Sequence, residues 1–473
     1  MSDLIGREKE ISQLESYIKT KQSEFIAIYG RRRVGKTFMI TETLKDRLLF
    51  DMSGIIDGNK EDQLTSFTIS LNRAGLECKI PHNWYEAFEN LKKLIEKSRK
   101  VKKIIFIDEL PCLDTPRAGL VKALDLFWNG WANRRKDIKL IVCGSATTWM
   151  VDNIINNHGG LHNRITHEMH VHPFSLYETE KFLISKGFKW TKMMIAQAYM
   201  AVGGIPYYLS LFENKQSLSE NLDRLFFSAD GELRKEYDRV FQSLFRNPQP
   251  YTDIINLLTT AKKGLTRTEI ATKLSKDTGG HLTKLLTNLE NCDFIRKYNV
   301  KDKKINSNNG IYQLTDFYTI FYHSFCMKRK SDPNFWSNAL NTPSQNTWYG
   351  LAFERLCMAH IPQIKSKIGI DKISTEYFSW RSKTSPKGAQ IDLIIERADN
   401  ITNVCEIKYS SGIYALTSSE MDKMRVRISD YVTETNCRNG IHPTFITTCG
   451  LKDNEYASEF VQVITLDDLF KIL

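Results

Sequence analysis

Apolar residues along this chain fall into two patterns, unbroken runs and helical spacing. The runs Phe25-Ile26-Ala27-Ile28-Tyr29, Ile104-Ile105-Phe106-Ile107 and Leu140-Ile141-Val142-Cys143 contain no charged residue. Such runs predict strands covered on both faces, as in a parallel sheet. A further strand is predicted at Arg47-Leu48-Leu49-Phe50-Asp51. Ile11, Leu14 and Ile18 stand at helical spacing, and a long helix is predicted from Trp84 to Lys97. From Tyr251 the pattern changes to short amphipathic helices. Ile254, Ile255, Leu257 and Leu258 mark the first. Leu265-Thr266-Arg267-Thr268-Glu269 reads as the capped start of a second, which runs through Ile270 and Leu274. Leu282, Leu285, Leu286 and Leu289 share one face of a third, His281 to Glu290. Two short strands, Phe294–Tyr298 and Gly310–Leu314, then pair across a Lys-rich loop. Later, a helix begins at Trp348, and strands are predicted at Gln390–Ile395 and Val404–Lys408.

Chemistry gathers at the ends of these elements. The first run is followed by Gly30-Arg31-Arg32-Arg33-Val34-Gly35-Lys36-Thr37 and then Phe38. This fits G-x-x-x-x-G-K-[ST] between a strand and a helix, the context of a phosphate-binding P-loop. Backbone N–H groups curl round the phosphates there, Lys36 adds a mobile charge, and the Thr37 hydroxyl can ligate Mg²⁺. The second run closes in Asp108-Glu109. Asp108 would hold Mg²⁺ through water, and Glu109 would polarise the attacking water. The third run ends at Gly144-Ser145, where Ser145 either reads the γ-phosphate or caps the next helix. Downstream, Gly159-Gly160-Leu161-His162-Asn163-Arg164 offers Arg164 as an arginine finger, in cis or from a neighbouring subunit. The loop-then-helix from Leu4 to Ile11 either packs on an adenine ring or only covers the sheet edge. Because the backbone already cradles the phosphates, Arg31, Arg32 and Arg33 are expected to reach a lid or a neighbouring subunit.

The segments GRRRVGKT, IIFIDE, CGSATT, HPFSLYE and Gly203-Gly204-Ile205-Pro206-Tyr207-Tyr208-Leu209 together resemble the prokaryotic archaeal ATPase family, within the AAA+/STAND-like P-loop proteins. The resemblance spans roughly residues 1 to 240. It implies a five-stranded parallel ATPase core and a helical lid, with Gly204 and Pro206 lying near the nucleotide in a sensor segment. Relatives of this group show GRL or YGR where this chain has LHNR, ending at Arg164.

The helices and strand pair after Tyr251 resemble a winged helix-turn-helix. Such a module lays its third helix in the DNA major groove, with Lys284, Lys297, Lys301, Lys303 and Lys304 on phosphates; a domain adaptor is the competing reading. The aromatic segment Phe317–Phe325 is predicted to pack against the next domain.

A second constellation lies near the C-terminal end. Glu354 sits on the helix that begins at Trp348, Asp392 on one strand, and Glu406 and Lys408 on one face of another. Glu354, Asp392 and Glu406 can share Mg²⁺ or Mn²⁺ through oxygen ligands, while Lys408 positions water or stabilises charge during phosphodiester attack. This arrangement resembles the PD-(D/E)XK nuclease superfamily, and its pairing with the ATPase resembles archaeal ATPases that carry the uncharacterised domain DUF234. Strand parity supplies a check. A two-residue turn at Asp399-Asn400 would set Asp392 opposite Ile407, on the wrong face; a nuclease site requires an odd-length turn or a bulge.

The expected fold class is therefore α/β: a P-loop NTPase parallel sheet (1–172) with a helical lid (173–245), a winged helix-turn-helix (246–330) and an α/β restriction-endonuclease-like domain (331–473). Composition adds little to this. The net charge of +11 and pI near 9.0 favour an anionic partner, nucleic acid before a membrane surface and DNA before RNA. Nine scattered cysteines without a C-x-x-C pair argue for a reducing, cytoplasmic setting rather than disulfides or a zinc ribbon. No apolar run approaches the length of a membrane span. The expected cofactors are ATP and Mg²⁺, and assembly with further copies of the chain is left open.

Overall fold

The computed structural model describes all residues except 1–3, 146, 156–160, 162, 246, 262–263, 276–278, 299–309, 328–331, 383–387 and 473. Gly159, Gly160, His162 and the wing lysines Lys301, Lys303 and Lys304 lie outside the described residues. The chain forms two compact units. The first comprises residues 1–173, 240–248 and 291–293; the second comprises 174–239, 249–290 and 294–473.

The first unit is built on a parallel sheet of β1 (Glu24–Tyr29), β2 (Leu48–Ser53), β3 (Lys103–Asp108), β4 (Ile138–Gly144) and β5 (His167–His170), in the order β2-β3-β4-β1-β5. The three apolar runs occupy its middle, where every residue of β3 and β4 is buried. This order brings the C-terminal tips of β3, β4 and β1 side by side. Ligands bind at such tips in open α/β sheets. The helix Trp84–Lys97 has the predicted bounds, and its buried face carries Trp84, Phe88 and Leu91. A tight turn at Lys45–Arg47 delays the start of β2 to Leu48. The two longer helices that lack a counterpart in the sequence reading are Lys60–Arg73, which opens with a capping box at Asn59 and Asp62, and Leu120–Gly130. β5 also went unread, for a physical reason. It is an edge strand of sequence His-Glu-Met-His with only Met169 buried, so it carries no apolar run.

In the second unit, helices Gln249–Thr260, Arg267–Lys273 and Gly280–Asn291 accompany an antiparallel sheet of β6 (Leu265–Thr266, between the first two helices), β7 (Ile295–Tyr298) and β8 (Ile311–Leu314), in the order β6-β8-β7. The capped start is present: Thr266 and Glu269 bond reciprocally to each other's backbone N–H. Phe317–Phe325 is a helix, and its ring contacts with Phe226, Trp336 and Trp348 account for its burial. Those rings serve the core and leave none of Phe317, Phe321 or Phe325 exposed for base stacking.

The last sheet has the order β13-β12-β11-β10-β9, from β9 (Thr375–Arg381), β10 (Gln390–Arg397), β11 (Ile401–Lys408), β12 (Gly440–Thr447) and β13 (Gln462–Thr465). β9, β10 and β11 run antiparallel, whereas β12 and β13 are parallel to β11. The long helix Ser418–Thr435 makes the crossover that the parallel pair β11–β12 requires. Across the β10–β11 hairpin, Glu396 pairs with Thr402 and Leu393 with Cys405. The turn therefore holds three residues, Ala398-Asp399-Asn400, and Asn400 takes a left-handed conformation at φ 64°. Continuing that register by one step sets Asp392 opposite Glu406. The parity that a nuclease-like site requires is met. A bulge on the β9 side lies between Ile391 and Ile394, and there the Ser379 hydroxyl donates to the Asp392 carbonyl at 2.6 Å.

Candidate functional site

The first site grows out of the end of β1. Gly30 has φ 143°, and a Cβ there would lie 2.3 Å from the Val171 carbonyl oxygen, so the position excludes a side chain. Arg33 at φ 73° and Gly35 at φ 87° turn the loop back on itself and start the helix Lys36–Leu44. Consecutive N–H groups in such a turn form an anion-binding concavity, and the helix N-terminus reinforces it. Lys36 Nζ donates to the Gly30 and Arg31 carbonyls at 2.8 and 3.0 Å. Both acceptors are neutral, so a phosphate oxygen competes with them on charge. Val34 is buried, and its carbonyl accepts from Arg7 Nη2 at 2.9 Å. Arg7, itself 3% exposed, thus braces the loop from the N-terminal segment. The Gly6-Arg7 pair ahead of a helix was visible in the sequence, but its target was not.

Thr37 Oγ1 donates to Asp108 Oδ2 at 2.8 Å, joining the loop to the tip of β3. Asp108 is buried, and its other oxygen, Oδ1, meets no N–H or O–H donor. A hydroxyl beside a carboxylate with one unsatisfied buried oxygen is a hard-oxygen set that fits Mg²⁺. The adjacent Cys143 thiol is fully enclosed, and burial pushes it well above the thiol range, so it stays neutral. Cys112 is pushed up to about 11, by burial first and then by Glu109. Neither thiol is a nucleophile there.

Glu109 leaves β3 in a left-handed conformation, φ 45°, ψ 46°. Its Oε2 accepts from the Ser145 amide at 3.1 Å and the Ser145 hydroxyl at 2.9 Å. Both Ser145 donors are thus turned to Glu109, an interaction the sequence reading did not name. The three arginines also separate. Arg31 is buried inside the first unit at 1% exposure, which removes it from any subunit surface, whereas Arg32 and Arg33 are half-buried. Phe38 is 47% exposed, and Arg164 is exposed on the turn after Leu161. Gly204 and Pro206 belong to the second unit. A Cβ on Gly204 would lie 2.0 Å from the Phe174 carbonyl oxygen, and Pro206 opens the short helix Pro206–Ser210, so both have a local structural reason.

The second constellation is wholly within the second unit. The helix Pro343–Ala359, capped by Thr342, carries Glu354 and packs on β11. Glu406 Oε1 lies 2.7 Å from Lys408 Nζ, and its Oε2 accepts from Arg427 Nη1 at 2.7 Å. Asp392 Oδ1 accepts from the Gln390 amide at 2.6 Å. Glu354 faces these groups: burial first, then the Asp392 and Glu406 charges, push its carboxyl up to about 8 against the opposing pull of Arg355 and Lys408. Repulsion between converging carboxylates of this kind is what a divalent cation relieves. The oxygens are nonetheless not drawn together as a cage. Among the described residues, the set of His, Cys, Asp or Glu ligand atoms lying within 4.8 Å of one another is His170, His172 and Asp293, not Glu354, Asp392 and Glu406. The cations explain it, because Glu406 is held by Lys408 and Arg427. Arg427 was missed in the sequence, since an arginine on an amphipathic helix carries no motif.

The Glu354 carboxyl has a measurable consequence. Its folded pKa of about 8 exceeds the ordinary 4.5, so between these values the native state holds a proton that the unfolded state has lost. Stability of the metal-free protein therefore falls as pH rises through that window. Glu354→Gln is expected to flatten this slope, which melting temperatures between pH 5 and 9 in EDTA measure; an unchanged slope contradicts the assignment.

Comparison with known proteins bears on the first of the two sites. The family model of an ATPase domain found predominantly in Archaea matches residues 4–212. The chain thus carries a P-loop ATPase-like domain. Its match runs beyond Arg164 through Gly204 and Pro206. An uncharacterized protein of Methanocaldococcus jannaschii is 24% identical over 396 residues, covering 82% of this chain and 83% of its own length. Among solved structures, a Walker-type ATPase of Pyrococcus abyssi is similar at 20% identity and a TM-score of 0.48, over 67% of this chain and 95% of that one. The ORC2 protein of Aeropyrum pernix is similar at 13% identity and a TM-score of 0.40, over 68% of this chain and 94% of its own. Among the described residues, no helix is long and apolar enough to cross a membrane.

Proposed function

We propose that this protein hydrolyses ATP at the P-loop and that the ATPase controls a metal-dependent, nuclease-like site that acts on nucleic acid, DNA in the first instance. The observation that carries the ATPase half is the hydrogen bond from Thr37 to Asp108 beside the unsatisfied Asp108 oxygen. In this reading residues 30–38 bind the phosphates, Lys36 neutralises them, Thr37 and Asp108 hold Mg²⁺, and Glu109, oriented by Ser145, takes the proton of the attacking water. Arg164 supplies the finger, and Gly204 and Pro206 belong to a lid segment that senses the nucleotide.

In the nuclease half, Glu354, Asp392 and Glu406 bind Mg²⁺ or Mn²⁺, and Lys408 stabilises developing charge on the phosphodiester. The register that sets Asp392 opposite Glu406 supports this assignment. The helices and the β7–β8 pair before it serve as a winged helix-turn-helix whose basic face, including Lys284 and Lys297, meets phosphates. The domains are assigned as 1–172, 173–245, 246–330 and 331–473, in a soluble cytoplasmic protein that can assemble with further copies. A second reading has its own support. Because Lys408 and Arg427 both hold Glu406, the nuclease fold can be an inert dock and the protein a nucleotide-regulated binding switch. Cleavage of plasmid and single-stranded DNA in Mg²⁺ or Mn²⁺ separates the two readings: metal-dependent nicking supports the first, and intact DNA under every condition leaves the second.

A further inference from the structure

Two imidazoles and a carboxylate outside the sites described so far meet at the exposed edge of the first sheet. β5 ends at His170, which pairs in register with Tyr29, the residue before the P-loop. His172 follows two residues later, so strand alternation keeps both rings on one side. Their centroids are 3.9 Å apart, and the Tyr29 ring stacks on His170 at 4.8 Å. Asp293, in a left-handed turn at φ 60° that follows the buried Cys292, completes the group from another stretch of the same unit.

His172 Nδ1 lies 3.0 Å from Asp293 Oδ1, and His170 Nε2 lies 3.2 Å from Asp293 Oδ2. One ligand atom from each residue comes within 4.8 Å of the other two. The first contact is a well-aligned hydrogen bond, and the second is a close but less well-aligned ion pair. One carboxylate is thus shared between two imidazoles, one on each oxygen. A divalent cation would satisfy all three groups at once. Ligand atoms around a tetrahedral ion stand about 3.3 Å apart for metal–ligand bonds near 2 Å; each imidazole already lies 3.0–3.2 Å from one Asp293 oxygen, and the three-atom set, within 4.8 Å, would close on binding.

We propose that His170, His172 and Asp293 bind a first-row transition-metal dication of the Zn²⁺ or Co²⁺ class. Two imidazole nitrogens and one carboxylate oxygen suit these ions, whereas Mg²⁺ prefers an all-oxygen set. The site is thereby chemically distinct from the oxygen-lined positions at Thr37–Asp108 and at Glu354, Asp392 and Glu406. With three protein ligands it leaves a coordination position for water or a further donor. Such an ion would clamp the Asp293 turn to the edge strand that flanks Tyr29 and the start of the P-loop.

The experiment titrates Co²⁺ into the tag-free, full-length protein after EDTA treatment and dialysis, without nucleotide, and follows the visible d–d absorption. One saturable equivalent is expected, with the intensity of low-coordinate cobalt; Zn²⁺ bleaches it and excess Mg²⁺ does not. His170→Ala and His172→Gln each weaken it at least about tenfold, the scale on which even groups outside the ligand shell act. The His172 side chain is 59% exposed, so its replacement leaves a folded protein in which the loss can be read. Asp392→Ala retains the band. Absence of a saturable band in the wild type, or equal binding by His172→Gln, overturns the proposal.

Discussion

Glu109→Gln is expected to bind ATP·Mg²⁺ with wild-type affinity and to hydrolyse it at least about a hundredfold more slowly, since a positioned general base contributes on that scale or above. The amide preserves the shape at the tip of β3 and can still accept from Ser145, so the loop and the metal ligands stay in place while the proton acceptor is lost. Lys36→Ala is expected to act on a different quantity. Its ammonium reaches the loop carbonyls across which phosphate binds, and its removal weakens ATP binding itself. Phosphate release at saturating ATP, alongside equilibrium binding of a fluorescent ATP analogue, separates the two effects. Wild-type turnover by Glu109→Gln would show that another group takes the proton.

Asp392→Ala and Lys408→Ala are each expected to abolish metal-dependent cleavage while leaving ATP hydrolysis unchanged. Asp392 is the carboxylate that registers opposite Glu406, and its charge is the first after burial to raise Glu354. Without it the proposed metal site would lose a ligand. Lys408 lies 2.7 Å from Glu406, on its own strand, and is the group proposed to stabilise charge on the phosphodiester. Gel analysis of nicked and linear plasmid in Mn²⁺ gives the result, and cleavage by Asp392→Ala at the wild-type rate would place the reaction elsewhere in the chain.

The parts legible in the sequence were those written in short-range patterns. β1, β3 and β4 follow from uninterrupted apolar runs, the P-loop from glycine spacing, and the helix start at Arg267 from Thr266 and Glu269. Even the turn between β10 and β11 could be constrained in advance, because parity ties its length to the face that Asp392 occupies. What escaped depends on partners far apart in the chain. Arg7 reaches Val34, Ser145 reaches Glu109, Arg427 reaches Glu406, and Asp293 reaches two histidines more than a hundred residues earlier. β5 escaped because an edge strand needs only one buried side chain. Ser145 is the instructive case: the sequence left it between the γ-phosphate and a helix cap, and its bond to Glu109 appears only in the fold, since a hydroxyl at a strand tip says nothing about which neighbour it will face.

The most direct test of the account asks whether the two sites act together. Cleavage of one plasmid in Mn²⁺ is measured with and without ATP, for the wild type and for Glu109→Gln. The account predicts a wild-type cleavage rate that changes when ATP is added and turned over, and a Glu109→Gln protein whose rate is fixed in the ATP-bound state. Cleavage that is absent throughout, or that proceeds identically with and without ATP in both proteins, would contradict it.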